Sequence, residues 1–284
     1  MHKAPRRIWL CADDYGLSHA VSAAIRELIM RERINATSVM VVAPHFDAAD
    51  VESLKALNAH RKRAALGLHV TLTAPFKPLG SGFAPTRDGC FLPLQKMMRT
   101  AMARRLDRHA LDAEIAAQLA AFIDAFGQPP DFMDGHQHVH LMPQVRDAFL
   151  QQISRAAPAA SVRQCGRARA AGRLHDRKAL TLDILSVRFR RKAHEFGIAT
   201  NPAFAGTYDF NHKANYAHIF PRFLAGLPDR GLIMCHPGFV DAELKRLDSL
   251  TTLREHEYDY FISDEFPQTL AAHGVALVRP GEAA

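Results

Sequence analysis

The sequence predicts an α/β fold in which parallel strands alternate with helices around one core. Three observations point there. Short apolar runs of strand length recur between segments of helical period. The 284 residues fit a single barrel, which runs to about 250 residues, or a wide α/β sheet. Four of the apolar runs end in a carboxylate or a histidine, and the C-terminal strand ends are where parallel α/β architectures place their sites.

The first element is Arg7-Ile8-Trp9-Leu10-Cys11-Ala12, an apolar run short enough for a buried strand. After Gly16, Ser18 can cap a helix that carries Val21, Ile25, Leu28 and Ile29 on one face. Ala36 to Val42 reads as the second strand, stopped by Pro44. Asp47 to Asn58 has Val51, Leu54 and Leu57 in helical phase, and Ala64 to Leu72 is the next strand. From Thr73 to Pro93 the chain is rich in Pro and Gly and has no period. A loop this long in a compact domain is expected to serve function, often substrate binding. Leu111 to Phe126 is the clearest helix, with Leu111, Ile115, Leu119, Phe122, Ile123 and Phe126 in one stripe. Gly127 and Pro129-Pro130 end it. Asp131 to Asp134 enters a strand, Leu232 to Cys235 is a late one, and Val275 to Val278 is the last. Ser263 can cap a helix that ends at Gly274. One domain over 1–284 is expected, with a basic irregular segment or insertion around 155–192.

That segment sets the charge of the protein. It holds eleven Lys and Arg against Asp176 and Asp183, a balance of +9, so with a formal net charge of +7 the remainder sums to −2. A solvated connection with long, snorkelling arginines is the favoured reading over a surface for an anionic partner. No aromatic residues are interleaved in the manner of single-strand binders, and no nucleic-acid partner is expected. Cys11, Cys90, Cys165 and Cys235 form no C-x-x-C pair, which argues against a zinc ribbon or a disulfide scaffold. No stretch approaches the roughly 20 apolar residues of a membrane span, and the apolar run behind the basic N-terminus is too short for a signal peptide. A cytoplasmic location is the expectation.

The chemistry lies at the strand ends. Asp13 and Asp14 directly follow a buried run, so they are not a simple solvated turn, and one can ligate a cation while its neighbour acts as a base. His69 on its own reads as a core histidine. Asp134-Gly135-His136-Gln137-His138-Val139-His140 is more specific. Extended, its three histidines share a face; helical, His136 and His140 do. Asp134 is placed to orient an imidazole. His236 ends another strand as an acid, a base or a core residue. One carboxylate and two histidines with open positions make a hydrolytic site for a divalent metal. Asp13 is then a candidate base and His236 a candidate acid.

The blocks Ala12-Asp13-Asp14-Tyr15-Gly16-Leu17-Ser18, Gly67-Leu68-His69, Asp134 to His140 and Met234-Cys235-His236-Pro237-Gly238 resemble the signature of the YdjC-like carbohydrate deacetylases. That family includes chito-oligosaccharide deacetylases and hopanoid-associated relatives. The blocks run in family order from the first strand to near the C-terminus. The resemblance implies an irregular (β/α) TIM-like barrel related to the polysaccharide deacetylases. It implies one divalent metal ion, magnesium or zinc, and an N-acetylated sugar substrate. It implies Asp14, His69 and His136 as metal ligands, Asp13 as base and His236 as acid. Roles for His138 and His140 are not implied, and a homodimer is compatible with the resemblance. Tyr15 stands where the family usually has Phe. The basic segment and Thr200 to Tyr208 match no chito-oligosaccharide pattern, which leaves the sugar and its aglycone open.

The leading expectation is therefore a metal-dependent hydrolase that removes N-acetyl groups from an amino sugar or glycoconjugate. A metal-dependent phosphoesterase or another amidohydrolase is the competing enzyme reading, but such barrels tend to open with His-x-His, and this chain opens with Asp13-Asp14. A carbohydrate-binding barrel with a structural metal is the non-catalytic alternative.

Overall fold

The structure, a computed structural model, describes residues 4–168, 177–211 and 214–278. In chain order the elements are β1 (Arg6–Tyr15), α1 (His19–Met30), β2 (Ala36–Val39), α2 (Ala48–Asn58) and β3 (Ala65–Val70). A small hairpin of β4 (Thr86–Arg87) and β5 (Cys90–Phe91) follows, then α3 (Leu94–Met102), α4 (Arg108–Phe126) and β6 (Phe132–Gly135). A 3-10 turn (His136–Leu141) leads to α5 (Val145–Ala156), β7 (Ser161–Val162), α6 (Arg177–Glu195) and β8 (Phe204–Ala205). The chain ends with α7 (Tyr216–Leu224), β9 (Leu232–Cys235), α8 (Ala242–Leu247), α9 (Thr252–Ile262), α10 (Glu265–Ala272) and β10 (Val275–Leu277).

The main sheet runs β7-β6-β3-β2-β1-β9-β8, and every pair in it is parallel. β10 adds parallel to the first residues of β1. Two isolated parallel bridges, Val162 to Thr200 and Arg167 to Phe204, join the two edges. The sheet therefore curls into the irregular (β/α) barrel that was expected. Its strands β2, β3, β6 and β9 are buried at every position, because the barrel interior covers one face and the helices the other.

Several elements form where the sequence places them, for local reasons. The Ser18 side chain accepts from the Val21 N–H and caps α1, whose Val21, Ile25, Leu28 and Ile29 are buried. Asp47 caps α2 in the same way through the Asp50 N–H. Gly127 closes α4 in the left-handed conformation at φ 70°. The last helix begins at Glu265 behind Asp264, not behind Ser263, and no side chain caps it.

The basic stretch is less irregular than expected. It contains β7 and most of α6, while Arg169, Arg173 and Asp176 lie outside the described residues. The loop from Thr73 to Pro93 does not line the cavity at the C-terminal ends of the strands, which takes only Leu94 from this region. Two of its N–H groups, of Leu79 and Gly80, are tied to the buried Glu114 carboxylate. Among the described residues no helix is long and apolar enough to cross a membrane.

Candidate active site

A cavity of about 500 Å³ opens at the C-terminal ends of the barrel strands, and Asp13, Asp14, His69, His136 and His236 all line it. In a regular strand, adjacent side chains point to opposite faces, so Asp13 and Asp14 ought to diverge. They do not, because the β1–β2 register shifts between Ala12 and Tyr15 and Asp14 adopts φ 71°. Such a bulge re-aims side chains. Here it turns both carboxylates into one mouth, where both are buried.

Asp14 is the convergence point. Its Oδ1 lies 3.0 Å from His136 Nδ1 and 3.4 Å from His69 Nε2. A ligand atom from each of the three lies within 4.8 Å of the others. The far nitrogen of His69 is fixed: Nδ1 is 2.6 Å from Asp134 Oδ1 and 3.0 Å from Ser38 Oγ. Strand register produces this contact, since His69 and Asp134 are direct partners across β3 and β6. That register depends on Gly67, where a Cβ would stand 2.4 Å from the Phe132 ring. Asp134 thus orients the imidazole of His69 on the neighbouring strand.

The histidine block is neither strand nor regular helix. Gln137 and His138 are both left-handed, at φ 53° and 59°, and the turn sends the three rings apart. His136 faces Asp14, with Phe76 edge-on against it. His138 reaches the cavity wall, its Nδ1 3.5 Å from Cys165 Sγ. His140 turns inward between Phe149 and Phe189, and its Nε2 is 2.8 Å from the Arg163 carbonyl. Burial pushes the His140 imidazole down to about 4, so it is neutral and donates from Nε2 to that carbonyl.

Sequence reading placed Arg163 in a solvated basic stretch, and the structure corrects this. Arg163 is buried, and its Nη1 and Nη2 each donate to one oxygen of Asp13 at 2.6 Å. Its Nη2 also stands 2.6 Å from Asp134 Oδ2, an ion pair without hydrogen-bond alignment. Burial alone would raise the Asp13 carboxyl; the Arg163 charge and its two hydrogen bonds overcome that and hold it below the usual carboxylate range. Cys11, Asp13 and Asp134 also approach one another closely, but the guanidinium already supplies their positive charge.

The opposite wall comes from α9 and the segment before it, which sequence reading did not assign. Arg254, also buried, donates from Nη2 to Asp14 Oδ2 at 2.6 Å and to Asp248 Oδ2 at 2.7 Å. Against the pull of burial, Arg254 first and then His136 hold the Asp14 carboxyl well below its ordinary value. Glu257 accepts from the His236 backbone N–H at 2.6 Å and from the Tyr208 hydroxyl at 2.7 Å, and burial pushes it up to about 7. The His236 ring stands edge-on to Phe210, and its buried Nδ1 has no partner among the described residues. Burial outweighs the nearby Asp14 and Asp13 and pushes this imidazole down to about 4. Leading into this wall, β8 passes so close to β9 that a Cβ on Gly206 would stand 2.1 Å from the Met234 carbonyl; Gly206 has φ 109°.

The family model for YdjC-like proteins matches residues 7–272. The chain belongs to this family. A chitooligosaccharide deacetylase of Serratia marcescens is 28% identical over 241 residues, 82% of each chain. Its counterpart in Citrobacter koseri is 27% identical over 270 residues, 94% of each. Among solved structures, a protein of Enterococcus faecalis titled a cellobiose-phosphate cleavage protein superposes with a TM-score of 0.73 at 20% identity, covering 97% of this chain and 98% of that one. A peptidoglycan N-acetylglucosamine deacetylase superposes at 0.51 and 10% identity, over 96% and 85%. These two likenesses establish the fold. In this YdjC-like chain, Tyr15 uses the hydroxyl that Phe lacks: it donates to the Asp50 carbonyl at 2.6 Å and accepts from Arg26 at 2.9 Å.

The YdjC-like site can hold one divalent ion. Two imidazole nitrogens aimed at a single buried carboxylate oxygen are a donor set of catalytic-metal type. Without an ion, the site draws in a proton. Burial would lower the His69 imidazole, but Asp134 foremost, then Asp14 and Asp13, raise it to about 10.

Proposed function

We propose that this protein is a metal-dependent carbohydrate deacetylase that removes the N-acetyl group of an amino sugar and releases acetate. The observation that carries the reading is the pairing of two adjacent carboxylates with different partners in one mouth. Asp14 Oδ1 is shared by two imidazoles, whereas Asp13 is bound by Arg163 and faces the same cavity as His236. The deacetylase relatives cover 82% and 94% of the chain and support the same class of reaction.

Asp14, His69 and His136 would hold the ion, which supplies Lewis-acid polarisation of the acetyl carbonyl and of the attacking water. A His₂-carboxylate set suits zinc better than magnesium, which takes mainly oxygen ligands. Asp13 accepts the proton of the attacking water. Arg163 holds Asp13 ionised and so keeps it ready as an acceptor at neutral pH. A carboxylate held this low keeps a proton weakly, which favours its onward transfer. His236 rests neutral, takes up the water-derived proton that Asp13 releases, and delivers it to the departing amine nitrogen. The aromatic ring of Phe210 and the side chains of Leu94, Leu250 and Leu253 give the cavity the apolar surface against which a sugar face and its acetyl methyl can rest.

The test is metal analysis of the purified protein together with an acetate-release screen over N-acetylated mono- and oligosaccharides. One bound ion and stoichiometric acetate from at least one sugar are expected. Asp13→Asn should retain the ion while turnover falls by about 10²–10⁴-fold. Full metal occupancy with no acetate from any acetamide would leave a sugar-binding barrel. Phosphate release from sugar phosphates in its place would favour a phosphoesterase.

A further inference from the structure

The two oxygens of Asp14 are treated differently. Oδ1 is the atom both histidines approach, at 3.0 and 3.4 Å. Oδ2 accepts from Arg254 Nη2 at 2.6 Å. Arg254 is itself anchored through Nη2, Nε and its backbone carbonyl, while its buried Nη1 has no hydrogen-bond partner among the described residues. Its Nη2 donates to Asp248 Oδ2 at 2.7 Å, its Nε to the Leu250 carbonyl at 3.0 Å, and its own carbonyl accepts from the Gly238 N–H at 3.1 Å. The guanidinium has no exposed surface and cannot swing aside to release Oδ2.

A carboxylate binds a divalent ion through one oxygen or through two. With both oxygens free, the second adds a ligand and fills a position that a hydrolytic site leaves open for water or substrate. We propose that Arg254 is a positioning residue that makes Asp14 a one-oxygen ligand: by occupying Oδ2 it presents Oδ1 alone and keeps the remaining coordination positions free. This inference rests on the reading of Asp14, His69 and His136 as the metal site. It also gives the segment from Asp248 to Arg254, which forms one wall of the cavity, a part in the chemistry beyond packing. Lysine cannot replace arginine here, because one ammonium does not reproduce the planar fork that spans Asp14, Asp248 and the Leu250 carbonyl.

Cobalt(II) is the probe, since its visible absorption weakens as its coordination number rises. Wild-type protein, Arg254→Met, Arg254→Lys and Asp248→Asn would each be loaded with cobalt. Cobalt content, absorption intensity and acetate release would be read on the same samples. The wild type should bind one cobalt with the strong absorption of low coordination. Arg254→Met should still bind one cobalt, with weaker absorption and about 10–100-fold lower turnover, the range for losing a partner of a metal ligand. Arg254→Lys should resemble Arg254→Met. Asp248→Asn, which loosens the clamp without touching Asp14, should move the spectrum in the same direction by less, and it decides the matter if Arg254→Met does not fold. Unchanged absorption in the folded variants overturns the proposal even where turnover falls, as does loss of cobalt from Arg254→Met. A wild type that takes up no cobalt refutes the metal reading itself, so the two failures are distinguishable.

Discussion

Replacing Arg163 by methionine would leave two buried carboxylates, Asp13 and Asp134, without their shared cation. Removing one partner of a buried ion pair costs about 3–5 kcal/mol, because the remaining charge stays desolvated. One guanidinium serves both carboxylates, so the upper end, about 5 kcal/mol, is expected. The loss is capped by protonation, since a buried carboxyl that takes up a proton escapes the charge penalty. In the wild type the Asp13 carboxyl is depressed, so its contribution to stability is present above the unfolded carboxylate value of about 3.9 and is lost as pH falls through the folded value. In the variant, burial is opposed only by the weaker pull of His69 and His236 and raises that carboxyl, so stability falls as pH rises. The gap between the two proteins therefore widens with pH. At roughly 2–4 °C per kcal/mol for a chain of this size, the melting temperature at pH 8 should fall by about 10–20 °C. At pH 5 it should fall by less. Thermal unfolding of the metal-free proteins at both pH values measures this, and the pH–rate profile adds a second reading, in which the acid limb moves to higher pH. A fall under about 3 °C at pH 8, or an equal fall at both pH values with an unmoved acid limb, would refute the reasoning.

Three further outcomes are expected. His236→Ala should lower turnover on acetamides by about 10²–10⁴-fold with metal content intact, and affect an activated ester much less, since that leaving group needs no proton; equal losses would make His236 structural. Metal-free protein should lose stability as pH rises from about 6.5 through about 10, because the folded His69 imidazole is raised and its contribution is complete only below the unfolded value; a flat denaturation midpoint across that range would contradict it. Gly206→Ala should destabilise the protein by at least about 1–3 kcal/mol, because the backbone is at φ 109° and the new Cβ would strike the Met234 carbonyl. Chemical denaturation with an unchanged midpoint would count against that close approach.

The strands that can be read from the sequence are the deeply buried ones. β3, β6 and β9 are covered on both faces throughout and β1 from Leu10 onward, so they stand out as apolar runs, and the residues at their ends fall at one mouth on that basis alone. The unreadable parts pair charge with charge inside the protein. Arg163 sits in a cationic stretch where every neighbour suggested solvent, and nothing local signals that Asp13 and Asp134 are waiting for it. Helix α9 buries Arg254 and Glu257 among its inward residues, so it lacks an apolar stripe and was not recognised. β7 and β8 are two residues each, below the length at which alternation is visible. The divergence of His136, His138 and His140 follows from two left-handed residues, neither a glycine, which periodicity arguments do not anticipate.

That left-handed turn bears on any attempt to transplant the site. A designer who moved the Asp134 to His140 block onto another barrel would carry the ligands and lose their directions. Gln137 and His138 each prefer other backbone conformations, and they are held by what surrounds them. Gly135 leaves room for the His140 ring, Phe149 and Phe189 flank that ring, and the Arg163 carbonyl accepts a hydrogen bond from it. Freed of these, the turn would relax and His136 would swing off the Asp14 oxygen. The portable unit is therefore the block together with β7, the Arg163 that follows it and the inner faces of α5 and α6, and a minimal mimic assembled from the metal-facing residues alone should bind its ion loosely and without a fixed geometry.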